Sequence, residues 1–321
     1  MDADPKDSTV CKRNCAMNLK PLLAMICCLL AVAASSPALA QEVSELAKQN
    51  REMLSPARPR ERPPWEASLG AAWFPGRTVH TADAVGELKM SEMKFGLTRR
   101  VGITPNFDLS TGLQYSLRDL DAPEALRLPD SLHTVALHLA GEYHSSDRLT
   151  LGIRVTPGLS SDFRSISADD LRVAVALQAK YRVSQALTLT GGLAYTGQSH
   201  SIPVLPVIGV LYLPTDKVTL AFGFPRTAIV YKKSRETEFF LAAEFAGGEY
   251  GLHDSTIGAD VIRYKDYRAV AGIEFPLLPV AKLNLSGGYA FSRKFEFYEG
   301  DRADVRVNSA PFGRMEVKFS W

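Results

Sequence analysis

Apolar and polar residues alternate along most of the chain after residue 65, and the last stretch shows the pattern without an error. Met315, Val317, Phe319 and Trp321 are apolar, while Arg314, Glu316, Lys318 and Ser320 between them are polar. A period of two predicts a strand with one oily and one wet face. The same spacing recurs at Leu69, Ala71 and Trp73, at Met93, Phe95 and Leu97, and at Leu113, Tyr115 and Leu117. It continues through Val135, Leu137 and Leu139, Leu149 to Val155, Leu171 to Val183, and Leu187 to Tyr195. The later sets are Pro206 to Leu213, Val218 to Phe224, Thr227 to Lys232, Phe239 to Phe245, Tyr267 to Phe275 and Leu283 to Phe291.

Connections between these segments alternate too. Short turns near residues 104, 146, 184, 215, 233 and 278 are interleaved with longer segments near 80, 124, 163, 200, 255 and 304. Two rims of unequal loop length are the rhythm of a membrane β-barrel, and both chain ends on one rim require an even strand number. The expected architecture is all-β: a transmembrane antiparallel up-and-down β-barrel of about 12–14 strands. Counting Thr227 to Lys232 gives about fourteen, with the tight Pro225 turn on the long-loop side; treating that segment as a hairpin extension gives about twelve. A soluble β-sandwich also has one oily face per strand. Many segments here run to about twice the ordinary strand of about 5 to 6 residues, which is the length a tilted membrane strand needs. Tyr115, Tyr143, Tyr181, Tyr195, Tyr267 and Trp321 near segment ends on the oily face fit an aromatic girdle.

Composition changes this picture little. The 321 residues are 46% hydrophobic and 22% charged, as in any globular chain. No apolar run of about 20 residues follows residue 40, so no helical span is expected there. The N-terminus is more specific. Lys20, the apolar run Leu22 to Ala34, and Ser35-Ser36-Pro37 before Ala38-Leu39-Ala40 read as a secretory signal peptide over residues 1–40, with Met17 as an alternative start. Cys27 and Cys28 lack the small residues of a lipoprotein box. Cys11, Cys15, Cys27 and Cys28 all precede the expected cleavage, leaving the exported chain neither disulfides nor thiolate ligands. Residues 41–64, with a short helical segment Glu42 to Leu54 and then Pro56, Pro59, Pro63 and Pro64, read as a periplasmic Pro/Arg-rich linker, and 65–321 as the barrel.

A strand that ends on an aromatic at the final carboxylate resembles the closing strand of Gram-negative outer-membrane barrels. The resemblance implies an outer-membrane location and makes Phe319 and Trp321 an assembly signal. Four further stretches, Pro206 to Tyr212, Phe224-Pro225-Arg226 to Tyr231, Tyr264 to Glu274, and Gly287 to Arg293, are similar to an uncharacterised family of outer-membrane barrels, domain of unknown function 6268. That resemblance implies a fold and a membrane, and brings no activity or catalytic residues with it.

Candidate chemistry lies on the wet face. Arg118, Arg154, Arg172 and Arg314 should project into the lumen in its outer half, with Arg268 deeper and Glu244, Glu274 and Glu316 among them. Rings of Arg or Lys select anions; the same residues could equally be a salt-bridged filling that closes the barrel. Inward Gly70, Gly96, Gly112, Gly152, Gly192, Gly223, Gly272 and Gly288 suggest room inside or strand bending. Arg293, with Phe295 and Phe297, is expected on the outward face near the external rim, where it could meet lipopolysaccharide phosphate. Of six histidines, only His133 beside Ser131 and His144 beside Ser145 have a nearby hydroxyl, and adjacency in sequence does not make a catalytic set. Acidic loop residues such as Asp119, Asp121, Asp169 and Asp170 follow no calcium-loop spacing. No phosphate loop, zinc pattern or nucleic-acid module is present, so no cofactor and no nucleic-acid partner is expected. The favoured expectation is a passive pore or transport barrel for small solutes, anions among them, surrounded by outer-membrane lipid and lipopolysaccharide and inserted by the barrel-assembly machinery. The alternatives are a closed structural or surface-interaction barrel and a lipid-modifying enzyme.

Overall fold

The alternation of side chains becomes a single sheet closed on itself. A computed structural model of the chain describes residues 63–321, apart from 82–84, 198–199, 201–202, 224–225 and 235. The expected signal peptide, the four cysteines, nearly all of the linker, and the Phe224-Pro225 turn lie outside the described residues. Fifteen strands are described: β1 (Trp65–His80), β2 (Val85–Thr104), β3 (Phe107–Asp121), β4 (Ser131–His144), β5 (Leu149–Ser161), β6 (Leu171–Arg182), β7 (Leu187–Tyr195), β8 (Val204–Thr215), β9 (Val218–Gly223), β10 (Arg226–Lys232), β11 (Glu238–Gly251), β12 (Ala259–Leu278), β13 (Ala281–Gly300), β14 (Val305–Val307) and β15 (Ala310–Ser320). The only described helix is two short 3-10 turns, Glu124–Leu126 and Ala168–Asp170.

Each strand from β1 to β13 pairs antiparallel with its neighbours in the chain. The ring closes where β15 runs beside β1 from Glu66↔Ser320 to Trp73↔Gly313. Trp65 and Trp321 exchange backbone hydrogen bonds of 3.0 and 3.1 Å there, and their rings stack at 6.4 Å. The short β14 lies between β13 and β1 directly beyond β15, so the two form one stave and the barrel has fourteen. The start of β1, the end of β15 and the short turns share one rim; the longer connections share the other.

Burial shows which solvent the outside meets. Leu69, Trp73, Leu137, Leu177, Leu193 and Met315 are all exposed by about half, a continuous apolar belt that water would not tolerate on a monomer. Along β2 the belt has a readable edge. Outward positions are Met93 and Phe95 on the short-turn side, and Ser91, Lys89 and Glu87 on the long-loop side. Across the same edge the inward positions change from Lys94 and Glu92 to Met90 and Leu88, which are buried. The membrane belt therefore stops near Ser91, and beyond it the sheet encloses an apolar core as a soluble protein does.

Staves differ in height. β2, β12 and β13 each have 20 residues, whereas β9 has 6 and β10 has 7. Six residues rise about 20 Å along the strand and about 15 Å along a barrel axis tilted by about 40°, short of an apolar belt about 25 Å tall.

Candidate functional site: the lumen beneath bent strands

The tall strands leave the cylinder at one level. Phe245, Tyr267 and Phe291 lie side by side on adjacent strands, Tyr267 tilted against Phe245 at 5.0 Å and stacked on Phe291 at 5.9 Å. Just beyond them Gly247 takes φ 147°, the β12–β13 register shifts between Lys265 and Tyr267, and Ser292 adopts φ 53°. Three adjacent strands thus carry an irregularity at the same height, which lets the sheet bend inwards. β11 then crosses to the opposite wall and pairs in parallel with β5 at Gly251↔Ser161. Asp162 N–H donates to Gly251 O at 3.1 Å, and His253 Nε2 meets Asp170 at 2.9 Å. In the loop beyond, Thr256's hydroxyl and amide, with Arg164 nearby, hold the Asp254 carboxyl below the usual carboxylate range.

β11 to β14 and β1 to β5 thereby form a smaller closed ring above the main one, filled by Phe74, Leu88, Met90, Leu132, Ile262 and Phe295. Beneath this core sits a buried charge cluster. Glu92 accepts from Arg118 Nη2 at 2.8 Å and from Arg268 Nη2 at 2.8 Å and Nη1 at 3.0 Å. Arg268 Nε also donates to Asp266 at 3.0 Å, and Tyr264 Oη donates to the same carboxylate at 2.8 Å. Arg118 lies over the Tyr264 ring at 4.4 Å and Arg268 over Phe74 at 4.9 Å. Arg118 and Arg268 do project inwards, but as members of this filling rather than as open cations.

Arg293 belongs to the same cluster, and the expectation of an outward, lipopolysaccharide-facing arginine is corrected. It is 2% exposed, with Nε 3.2 Å from Tyr264 Oη and its guanidinium over Phe74. The extra residue at Ser292 reverses the parity of β13, turning Arg293, Phe295 and Phe297 inwards.

Beside the cluster the lumen holds a cavity of about 240 Å³. Arg154 and Arg172 line it from β5 and β6, Arg226 from β10, and Arg314, Glu316 and Lys318 from β15. Glu244 accepts from Arg314 Nη1 at 3.0 Å and forms an ion pair with Arg226, whose Nε lies 3.2 Å away. Arg172 lies 3.5 Å from the buried Glu249. Glu274 sits nearer the short-turn rim, between Lys318 at 3.2 Å and Lys282 at 3.7 Å. Including Lys94 and the cluster members, eight cationic side chains and four carboxylates line the cavity. On β4 to β7 and just beyond, the lining is of small residues, Ala136, Gly158, Ala174, Ala176 and Ala194, interleaved with the hydroxyls of Thr134, Thr156, Ser160 and Thr196 and with the two arginines. The inward glycines do not simply add room. A Cβ on Gly192 would lie 2.2 Å from Leu177 O and one on Gly288 2.0 Å from Ala269 O, so these are close backbone approaches.

Above the cavity His200, in the connection after β7, meets the bent sheet. Arg263 Nη1 donates to His200 O at 3.0 Å, and the His200 ring stacks on Tyr298 at 4.7 Å. His200 Nε2 is 3.1 Å from Glu299.

Sequence reasoning omitted Glu92, Lys94, Arg226, Glu249 and Lys318. Glu92, Lys94 and Lys318 alternate with belt residues on their own strands, so the parity that marked Arg118 marks them too. Glu249 follows the Gly247 irregularity, where parity gives no guide.

The hydroxyl–histidine neighbours resolve differently. His144 bonds Asp108 at 3.0 Å and Thr150 at 3.1 Å near the short-turn rim. Ser131 Oγ lies 2.9 Å from His133 Nε2, and His133 Nδ1 lies 3.0 Å from Tyr115 Oη. That chain ends on a phenol rather than a carboxylate. Among the described residues no group of three His, Cys, Asp or Glu side chains could hold a metal ion.

Residues 109–305, more than half of the chain, match the family model for domain of unknown function 6268 (DUF6268). The chain belongs to that family. No curated protein matches it. Among solved structures, the translocator domain of autotransporter NalP from Neisseria meningitidis is similar at 12% identity and TM-score 0.39, covering 90% of this chain and 100% of that one. The toluene transporter TodX of P. putida is similar at 10% identity and TM-score 0.45, covering 80% and 90%. An outer membrane channel from Pseudomonas putida F1 is similar at 12% identity and TM-score 0.40, covering 83% and 100%.

Proposed function

We propose that this DUF6268 protein is exported, loses residues 1–40, keeps 41–64 as a periplasmic linker, and resides in the outer membrane as a transport barrel for small anionic solutes. The short-turn rim and both ends face the periplasm; the long loops face outwards. Lipid and lipopolysaccharide surround the apolar belt, and Phe319 and Trp321 present the closing strand to the assembly machinery.

The observation that carries the reading is the excess of cations over carboxylates around one lumen cavity: with the buried Glu92, Arg118 and Arg268 set apart, six (Lys94, Arg154, Arg172, Arg226, Arg314 and Lys318) against three (Glu244, Glu249 and Glu316). Cationic side chains close together in a low-dielectric wall attract anions and repel cations, as in anion-selective pores. Arg154, Arg172 and Arg314 are the residues assigned to selectivity, with Glu244 and Glu316 tempering their field and Glu274 pairing lysines below. Arg118 and Arg268 hold the filling in place. No catalytic role is assigned to any lumen residue.

The test is ion selectivity in a planar bilayer. Under a salt gradient the reversal potential should report anion preference, and replacing Arg154, Arg172 and Arg314 together by alanine should move it towards zero. Cation preference, or a reversal potential indifferent to the triple variant, overturns the reading. The apolar core and paired charges beneath the outer rim favour a second reading, a permanently closed barrel, which predicts electrical silence from inserted protein.

A further inference from the structure

The outward face of the sheet carries chemistry that the lumen does not use. On three neighbouring strands the outward positions turn from apolar to polar at one rung. β3 goes from Leu117 to Asp119, β4 from Val135 to His133 and Ser131, and β5 from Leu159 to Ser161. Leu117 pairs with His133 and His133 with Ser161, so the change falls at the same rung on all three. Leu137, further into the belt on β4, is 52% exposed. The edge of the belt therefore crosses β4 at His133, on the long-loop side that the proposed orientation turns to the outer leaflet. The ester carbonyls of a lipid lie at that depth, between its acyl chains and its headgroup.

Three polar side chains are strung together at this edge. Ser131 Oγ lies 2.9 Å from His133 Nε2, and His133 Nδ1 lies 3.0 Å from Tyr115 Oη. All three are partly exposed, so a lipid beside the barrel can reach them. Phe163, just after β5, stacks its ring on the imidazole at 5.0 Å. It does so from φ 55°, a left-handed backbone that a phenylalanine keeps only where its surroundings hold it, and such residues cluster at functional sites. The buried Asp162 carboxylate is within electrostatic range of the imidazole and favours a positive charge there. On the headgroup side, the half-exposed Arg164 guanidinium reaches Asp130, the residue before Ser131, at 3.6 Å.

We propose that Ser131, His133 and Tyr115 form a hydrolytic site on the outer surface of the barrel that cleaves the acyl esters of a phosphate-bearing membrane lipid. The site uses the opposite face of the wall from the cavity and stands whether or not the lumen conducts. Ser131 is the nucleophile and His133 the general base; Tyr115 is a positioning residue. For Nε2 to accept a proton, the imidazole carries its own on Nδ1 and donates it to Tyr115 Oη. Ser131 Oγ then bonds to the ester carbonyl carbon as its proton passes to Nε2. The bond from that carbon to the lipid alcohol breaks, and the alcohol leaves with the proton from Nε2. Water repeats the sequence on the acyl-serine, which releases fatty acid and restores Ser131. Arg164 stands where the lipid phosphate would lie.

The experiment uses protein purified from outer membranes, each variant shown to be folded by heat-modifiable mobility. It is treated with a fluorophosphonate probe, and separately with phosphatidylethanolamine vesicles and with lipopolysaccharide, and free fatty acid is measured. Wild type should be labelled at Ser131 and should release fatty acid, and the preparation that yields it identifies the lipid that supplies the ester. Ser131→Ala should abolish labelling and release. His133→Gln, a second variant in case the first does not fold, should slow release by about 10²–10⁴-fold. Tyr115→Phe should lower kcat with KM unchanged, whereas a phenol with only a structural part would change the yield of folded barrel and leave kcat alone. Folded wild type that is not labelled and frees no fatty acid from either preparation overturns the proposal. Release that persists in folded Ser131→Ala overturns it too.

Discussion

Glu92→Gln removes one negative charge from the most buried ionic cluster and keeps the shape of the side chain. Glu92 is 4% exposed and accepts from two arginines that are themselves 6% and 2% exposed. After the substitution Arg118 and Arg268 remain buried with Asp266, which already holds Arg268 and Tyr264. Breaking a buried charge pair by removing one partner typically costs about 3–5 kcal/mol, because the surviving charge has lost both water and counter-charge. An exposed pair would cost about 0.2–1 kcal/mol. The loss should appear in equilibrium urea unfolding of the barrel from lipid vesicles, as a lower midpoint with an unchanged slope. Adding Arg118→Met should restore part of the loss, since an apolar replacement of the pair removes the unpaired cation as well. A loss below about 1 kcal/mol for Glu92→Gln would put the cluster in contact with water and refute the reasoning.

Other consequences are local. Trp321→Ser removes the ring that stacks on Trp65 at the closing seam and should reduce the amount of folded barrel in outer membranes, read by heat-modifiable mobility; normal assembly would count against the role given to the last strand. Gly247→Val puts a β-branched side chain where φ is 147°, a strain of about 1–3 kcal/mol, and should loosen the crossing of β11 to β5. A cysteine pair at Gly251 and Ser161 would then cross-link more slowly than in the Gly247 background, and an unchanged rate would mean that the bend lies elsewhere.

The strands were legible because a lipid-facing barrel repeats one rule at every stave, and a rule of period two survives without any tertiary knowledge. Strand number followed from the alternation of loop lengths, including the short Thr227 to Lys232 segment, which is β10 extended by one residue. The rule failed where the chain leaves the membrane. Leu88 and Met90 keep the inward parity of Glu92 and Lys94 but are apolar, because beyond Ser91 the inside is a core and the outside is water. Arg293 failed for a different reason. One extra residue reverses everything after it, and a serine at φ 53° leaves no signature of the kind a glycine would. The β11–β5 pairing joins residues 90 positions apart through a single bridge, Gly251↔Ser161, so only the paired glycines 247 and 248 hinted that β11 bends. Arginines on the wet face were visible in the sequence. Their division into a buried filling around Glu92 and a cavity lining around Glu244 depends on that bend and was not.

The most direct test of the central claim is the reversal potential of the purified barrel in a planar bilayer under a potassium chloride gradient. The account predicts anion preference that weakens when Arg154, Arg172 and Arg314 are replaced by alanine. Cation preference, or silence from protein shown to have inserted, would contradict it.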